Sequence, residues 1–244
     1  MNETDDDIDI ELWKTFLEKT MKTSLNMDIF IALVMVVIFI VSIIGNSVTC
    51  LVIYYDRTMH TATNFYLLNL SLSDLIVTFG IPMELYYYFH NWRAYIFSPL
   101  ECKIHWFFVV LLWNNSILTM TTLAVERYVA IWYPLVLSTR PTWKRVLKII
   151  IFLWIVAVTE TLAEIMTVDL ITTKNLNTCY MVPTRRSRII FGILAFLTFI
   201  LPSAIMISVY AMIIVKVNKK RDTKPDKVFN YPRNRSKVNK LIGM

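Results

Sequence analysis

Glu126, Arg127 and Tyr128 stand side by side near the end of a long apolar run that opens at Cys102, twenty-five residues before Arg127. A guanidinium near the membrane face of an apolar helix is costly to keep there, so it calls for a partner and usually a task. Glu126 is the adjacent carboxylate, and Tyr128 and Ile131 carry the helix on into Trp132-Tyr133-Pro134-Leu135. Asp74, Glu160 and Glu164 also fall inside apolar runs, and intramembrane acids are functional candidates by default. Asn46, in Gly45-Asn46-Ser47-Val48, is expensive in mid-membrane unless bonded to a neighbour; taken alone it reads as ordinary interhelical glue. No His-Glu-x-x-His, no paired membrane Asp motif and no Gly-x-Ser-x-Gly nucleophile occurs, so an enzyme has the least support.

Such residues need helices to hold them at depth. Hydrophobic residues make up 56% of the 244, more than a soluble domain of this size would hide from water. Apolar stretches recur at 29–53, 65–89, 104–124, 146–170 and 189–215. About 20 apolar residues cross a bilayer, so all five qualify. The expected fold is an all-α integral membrane bundle of five transmembrane helices. Residues 1–28 form an acidic N-terminus, 29–215 the membrane region and 216–244 a basic loop or tail. The second, third and fourth spans are more polar than the first, as fits helices packed on one another.

Charge sets the orientation. Residues 1–28 hold eight acids and three bases, whereas 216–244 hold ten bases and two acids. Arg140, Lys144, Arg145 and Lys148 are read as the loop between the third and fourth spans, Lys148 overlapping the start of the fourth. The positive-inside rule puts these bases in the cytosol and the N-terminus outside. The acidic opening, with Asp5-Asp6-Asp7, is unlike a cleavable signal peptide, so the first span is expected to act as its own insertion signal. Asn2-Glu3-Thr4 is a glycosylation sequon on the outer side. Arg185, Arg186 and Arg188 precede the fifth span on that side, where they either meet an anionic ligand or snorkel at the interface. The net charge of +7 reflects the cytosolic tail and gives no case for nucleic acid. Glu160 and Glu164 share one helix face; they face a pocket and attract a cation, sit in a wet crevice, or pair with His105. A transporter or channel would show repeat symmetry, broken helices or several pore-facing charges, and only these acids with Asp74 lean that way.

Taken together, the order and spacing of Asn46, Asp74, Cys102, Glu126-Arg127-Tyr128, Trp154, Pro202 and Tyr210 resemble the rhodopsin-like G-protein-coupled receptors, which have seven membrane helices. The resemblance implies an activation switch of Glu126, Arg127 and Tyr128, toward which Tyr210 swings. It implies a polar site at Asn46, Asp74 and Ser116 that in the family helps hold a sodium ion, with further ligands from a seventh helix. It implies a disulfide between Cys102 and Cys179, where two unpaired thiols are the plainer reading; Cys50 is then a free thiol in the first span. Trp154 and Pro202 carry over as structural residues, the latter freeing a backbone carbonyl so that the helix bends or bulges.

Around the second span, Met59 to Leu67, Pro82-Met83-Glu84-Leu85-Tyr86 and His90-Asn91-Trp92 are similar to the neuromedin U, pyrokinin and capa receptor group, which binds short amidated peptides bearing an Arg. The implied partners are such a peptide, a heterotrimeric G protein, the lipid bilayer and a receptor dimer partner, at the plasma membrane. Glu84 matches an acid of the group and suits a guanidinium; otherwise it is an exposed helix-end charge. Val110 stands where the group has another acid, a departure that puts peptide recognition in doubt. Lys219 to Pro225 resembles a third cytosolic loop and Ser236 to Met244 the run into a sixth helix. No Cys-Trp-x-Pro or Asn-Pro-x-x-Tyr pattern occurs. The expectation is a receptor truncated before its sixth helix and unable to signal alone. The alternatives are a fragment, or a non-signalling isoform that regulates a full-length receptor.

Overall fold

The computed structural model describes residues 3–20, 25–89, 98–133, 142–172 and 177–222. Asn2, His90-Asn91-Trp92, Arg140 and everything beyond Asp222 lie outside them. The described chain runs α1 (Glu3–Thr20), α2 (Leu25–Tyr55), a short 3-10 turn (Arg57–Met59), α3 (Ala62–Thr78), α4 (Ile81–Phe89) and α5 (Pro99–Trp132). It continues with α6 (Thr142–Ile165), β1 (Val168–Thr172), β2 (Asn177–Met181), α7 (Arg185–Ala195), a π turn (Phe196–Ile200) and α8 (Leu201–Asp222). Among the described residues five helical stretches are long and apolar enough to cross a membrane: Asn26–Tyr55, Ala62–Tyr86, Pro99–Trp132, Trp143–Ile165 and Arg185–Lys216. The expected all-α bundle with five spans is what the chain forms, with one small hairpin added.

The third span, α5, is the axis. It packs against α3, α6 and α8 and buries Asn114, Asn115 and Thr119. Polar side chains make the ties, because lipid gives no hydrophobic drive for helices to associate. Asn115 Nδ2 donates to Ser73 Oγ at 3.0 Å. Asn69 Nδ2 donates to Thr119 Oγ1 at 3.0 Å, and its oxygen accepts the Trp154 indole N–H at 3.1 Å. Trp154 thus joins α6 to α3 and through it to α5. Apolar side chains such as Val41, 64% exposed, and Ile44, 60% exposed, face outward, as a lipid-bathed surface requires.

Prolines set the breaks. Pro82 has no N–H for the carbonyl of Thr78 four residues back. The second span therefore splits at Phe79-Gly80, where Gly80 N–H turns to the Val77 carbonyl at 2.9 Å. In the fifth span Pro202 cannot serve the carbonyl of Thr198. A π turn takes up the mismatch there, with Leu201 N–H bonding the Phe196 carbonyl five residues back. The bend or bulge expected at Pro202 takes this form.

Three placements add to or differ from the sequence expectation. The fourth span stops at Ile165 rather than 170, because Val168 to Leu170 enter a strand whose partners are Met181, Tyr180 and Cys179. Lys144, Arg145 and Lys148 are not loop residues but lie in α6. The acidic N-terminus, expected only as an outer segment, contains α1, which buries Leu17 against Ile171 and packs Trp13 on Tyr180.

Candidate functional site

At the outer face, α5 starts under tight control. Ser98 caps it, its hydroxyl taking the Glu101 N–H at 3.4 Å while the Glu101 carboxylate takes the Ser98 N–H at 2.7 Å, and Pro99 fits the first turn. Cys102 follows at once and is bonded to Cys179 of β2, with Cα atoms 5.6 Å apart. The bridge implied by the family resemblance is present. Val168, Met83, Trp106 and Leu170 pack around it, so the hairpin is clamped over the end of α5. Cys50 is a half-buried free thiol.

Glu84 lies in the first turn of α4. Its Oε1 is 3.2 Å from His105 Nε2 on α5, both side chains partly buried. Glu84 is therefore not a bare helix-end charge. His105 pairs with it rather than with Glu160 or Glu164, because the break at Gly80 lets α4 lean on the outer end of α5, where its neighbour Met83 meets the disulfide cluster. Glu164 lines a cavity of about 350 Å³ between α5, α6 and α7, together with Val110, Trp113, Asn114, Leu194 and Thr198. Glu160 sits one turn deeper; its Oε2 is buried without a hydrogen-bond partner among the described residues. Val110 is 7% exposed and makes an apolar wall. Asn114 holds Thr161 Oγ1 at 3.4 Å. The pocket is thus largely apolar with a carboxylate at its edge, a form suited to small-group recognition. Arg185 opens α7, and Arg186 lines a separate outer cavity with Lys103.

In mid-membrane, Asn46 Nδ2 donates to both the carbonyl and the hydroxyl of Ser42 at 3.0 Å. Ser42 in turn meets Thr78 Oγ1 at 2.5 Å, and that hydroxyl donates to the Asp74 carbonyl at 2.6 Å. The link from Asn46 to Asp74 thus runs through backbone and hydroxyls, not through the carboxylate. Ser116 is half-buried on α5, with no hydrogen bond to either among the described residues. A hard cation needs several converging oxygens, and these three side chains do not by themselves make such a cage.

At the cytosolic face, Glu126 makes an ion pair with Arg145 of α6, both side chains largely buried. The sequence reading gave Glu126 to Arg127; the partner is Arg145 instead. Neighbouring residues on a helix point in different directions and do not face each other. Arg127 is exposed and has no ion pair or hydrogen bond among the described residues. Tyr128 stacks on Trp132 at 5.5 Å. Lys216, from the end of α8, donates to the Ile131 carbonyl at 3.2 Å and lies 4.0 Å from the Trp132 ring centroid. Tyr210 is 48% exposed on α8. Beyond the first span, the hydroxyl and amide of Thr58 hold the Asp56 carboxyl below its usual range. Arg145 and Lys216 were counted in the sequence only as cytosolic charges. Their contacts are long-range, and helical spacing within one element gives no signal of them.

This arrangement is a membrane bundle with a disulfide-stapled outer mouth and a charged inner end. The 7 transmembrane receptor (rhodopsin family) profile matches residues 45–244, and the chain belongs to this family. It is a multi-pass plasma-membrane protein with its N-terminus outside, and the family is one of receptors, not enzymes. The chain is 37% identical over 130 residues to neuromedin-U receptor 2 of Mus musculus, covering 53% of this chain and 33% of that receptor. It is 32% identical over 181 residues to the pyrokinin-1 receptor of Drosophila melanogaster, covering 72% and 41%. Against neuromedin-U receptor 1 of Homo sapiens the identity is 32% over 197 residues, covering 75% and 45%. The chain spans less than half the length of these relatives.

Proposed function

We propose that this chain receives a short, amidated neuropeptide and relays its binding to a heterotrimeric G protein. The observation that carries the reading is a pair of carboxylates at the outer ends of the helices, in a chain similar to neuromedin-U and pyrokinin receptors. Glu84 is held by His105, and Glu164 edges the cavity between α5, α6 and α7. A peptide guanidinium would be taken by such carboxylates through paired N–H donors. With Val110 apolar, Glu164 supplies from α6 the acid that α5 does not. At the other face, Arg127 and Tyr210 are exposed side chains that would meet the G protein, while Glu126 is engaged by Arg145.

The test is saturation binding of radiolabelled neuromedin U to the 244-residue chain in nanodiscs. It is run alone and beside a co-expressed fragment carrying the sixth and seventh spans of a neuromedin-U receptor. Saturable binding is expected, weakened about tenfold or more by Glu84→Gln and by Glu164→Gln, the loss of a charge-assisted contact. No saturable binding in either arrangement overturns the reading.

A further inference from the structure

The outer rim holds a second cavity that none of the roles above uses. It measures about 460 Å³ and lies between the start of α5, the base of the hairpin and the start of α7. Lys103 reaches it from α5 and Arg186 from α7. Neither base has a hydrogen bond or ion pair among the described residues. The acid on the wall, Asp169, makes no ion pair with either base among the described residues; its Oδ1 accepts the Leu170 N–H at 2.8 Å. Two cations brought from separate elements around one hollow favour an anionic group, and a guanidinium takes a carboxylate through two parallel bonds. Thr167, Val168, Asp169, Val182 and Thr184 of the wall lie beyond the ends of the fourth and fifth spans. The hollow therefore sits on the aqueous side, where a water-soluble peptide can reach it.

We propose that this cavity is a carboxylate subsite that takes an acidic side chain of a peptide ligand through Lys103 and Arg186. The identity of the ligand rests on the peptide reading above; the anion site stands on its own geometry. With Glu84 and Glu164 further in, the mouth then selects peptides that carry charges of both signs.

The experiment is fluorescence anisotropy of a labelled tetra-aspartate peptide titrated with the 244-residue chain in neutral phosphatidylcholine nanodiscs. Saturable, salt-sensitive binding is expected, weakened about tenfold or more in K103Q/R186Q. The charge-keeping K103R/R186K pair, and R188Q outside the cavity, should stay within about threefold of the native chain. Thiol titration of the Cys102–Cys179 bridge checks that each variant has folded. Absence of saturable binding overturns the proposal, as does an equal loss in R188Q, which would mean diffuse surface attraction. So does a result in which tetra-aspartate is ignored while phosphatidylglycerol nanodiscs stabilise the native chain over K103Q/R186Q, which would assign the cavity to a lipid headgroup. Loss of neuromedin U binding with tetra-aspartate binding kept would sink the peptide reading and leave the subsite standing.

Discussion

Glu126 and Arg145 form a largely buried ion pair across two helices, whereas Arg127 beside them is exposed. The two arginines should therefore behave oppositely. Removing one member of the pair strands the other charge, and hydrogen bonds to charged groups are worth about 1.5–3 kcal/mol. A double-mutant cycle of Glu126→Gln and Arg145→Gln, read by thermal unfolding in nanodiscs, should give a coupling energy of about 1 kcal/mol or more. Zero coupling would remove the pair from the account. Arg127→Ala should change stability by no more than about 0.5 kcal/mol, as exposed substitutions do. The sequence made the three-residue cluster legible but not its pairing. Residue types and positions are local facts; the partner of Glu126 lies nineteen positions away on another helix. The same holds for Glu84, whose acid was singled out, and for His105, whose pairing with Glu160 and Glu164 was one of three open readings and whose partner is Glu84.

Among the elements, spans were legible because length and apolarity are set by the bilayer. Their breaks were less so. Pro202 announced its own distortion, and the π turn obliges. Pro82 did the same work in the second span unnoticed, since the apolar run continues through it. The hairpin escaped because Val168 and Leu170 are as apolar as the span they follow; only pairing with β2 tells strand from helix there. That hairpin is held by the disulfide, which closes a separation of 77 residues. On the chain-entropy account such a link is worth about 4 kcal/mol. Cys102→Ser should therefore lower surface expression and free the hairpin, together with α1, which rests on it through Leu17 and Trp13. Hydrogen–deuterium exchange of residues 168–172 and 10–20 would show both segments opening together. If 10–20 stayed protected in the variant, α1 would have another anchor.

For the whole molecule, the charge asymmetry between residues 1–28 and 216–244 sets the orientation, and the family assignment agrees with it. An epitope at the N-terminus should be reached by antibody on intact cells, and one after Met244 only after permeabilisation. Labelling of both ends on intact cells would break the five-span topology. Sequence could reach this scale because charge bias and hydropathy sum over many residues, so single errors cancel. It could not reach the cavities, whose walls come from three elements at once. Lys103 and Arg186 are 83 positions apart in the chain and share a hollow only after folding.

Lys216 ties the inner end of α8 to α5. Its ammonium is engaged by the Ile131 carbonyl and the face of Trp132, so while α8 stays docked on α5 a reagent reaches the nitrogen only past these contacts. Acylation by a water-soluble ester should be slow there and should quicken when the cytosolic ends of the third and fifth spans separate. The lysine is thus a built-in reporter: its rate of covalent labelling, read by mass spectrometry, gauges the spacing of two helices without any added probe.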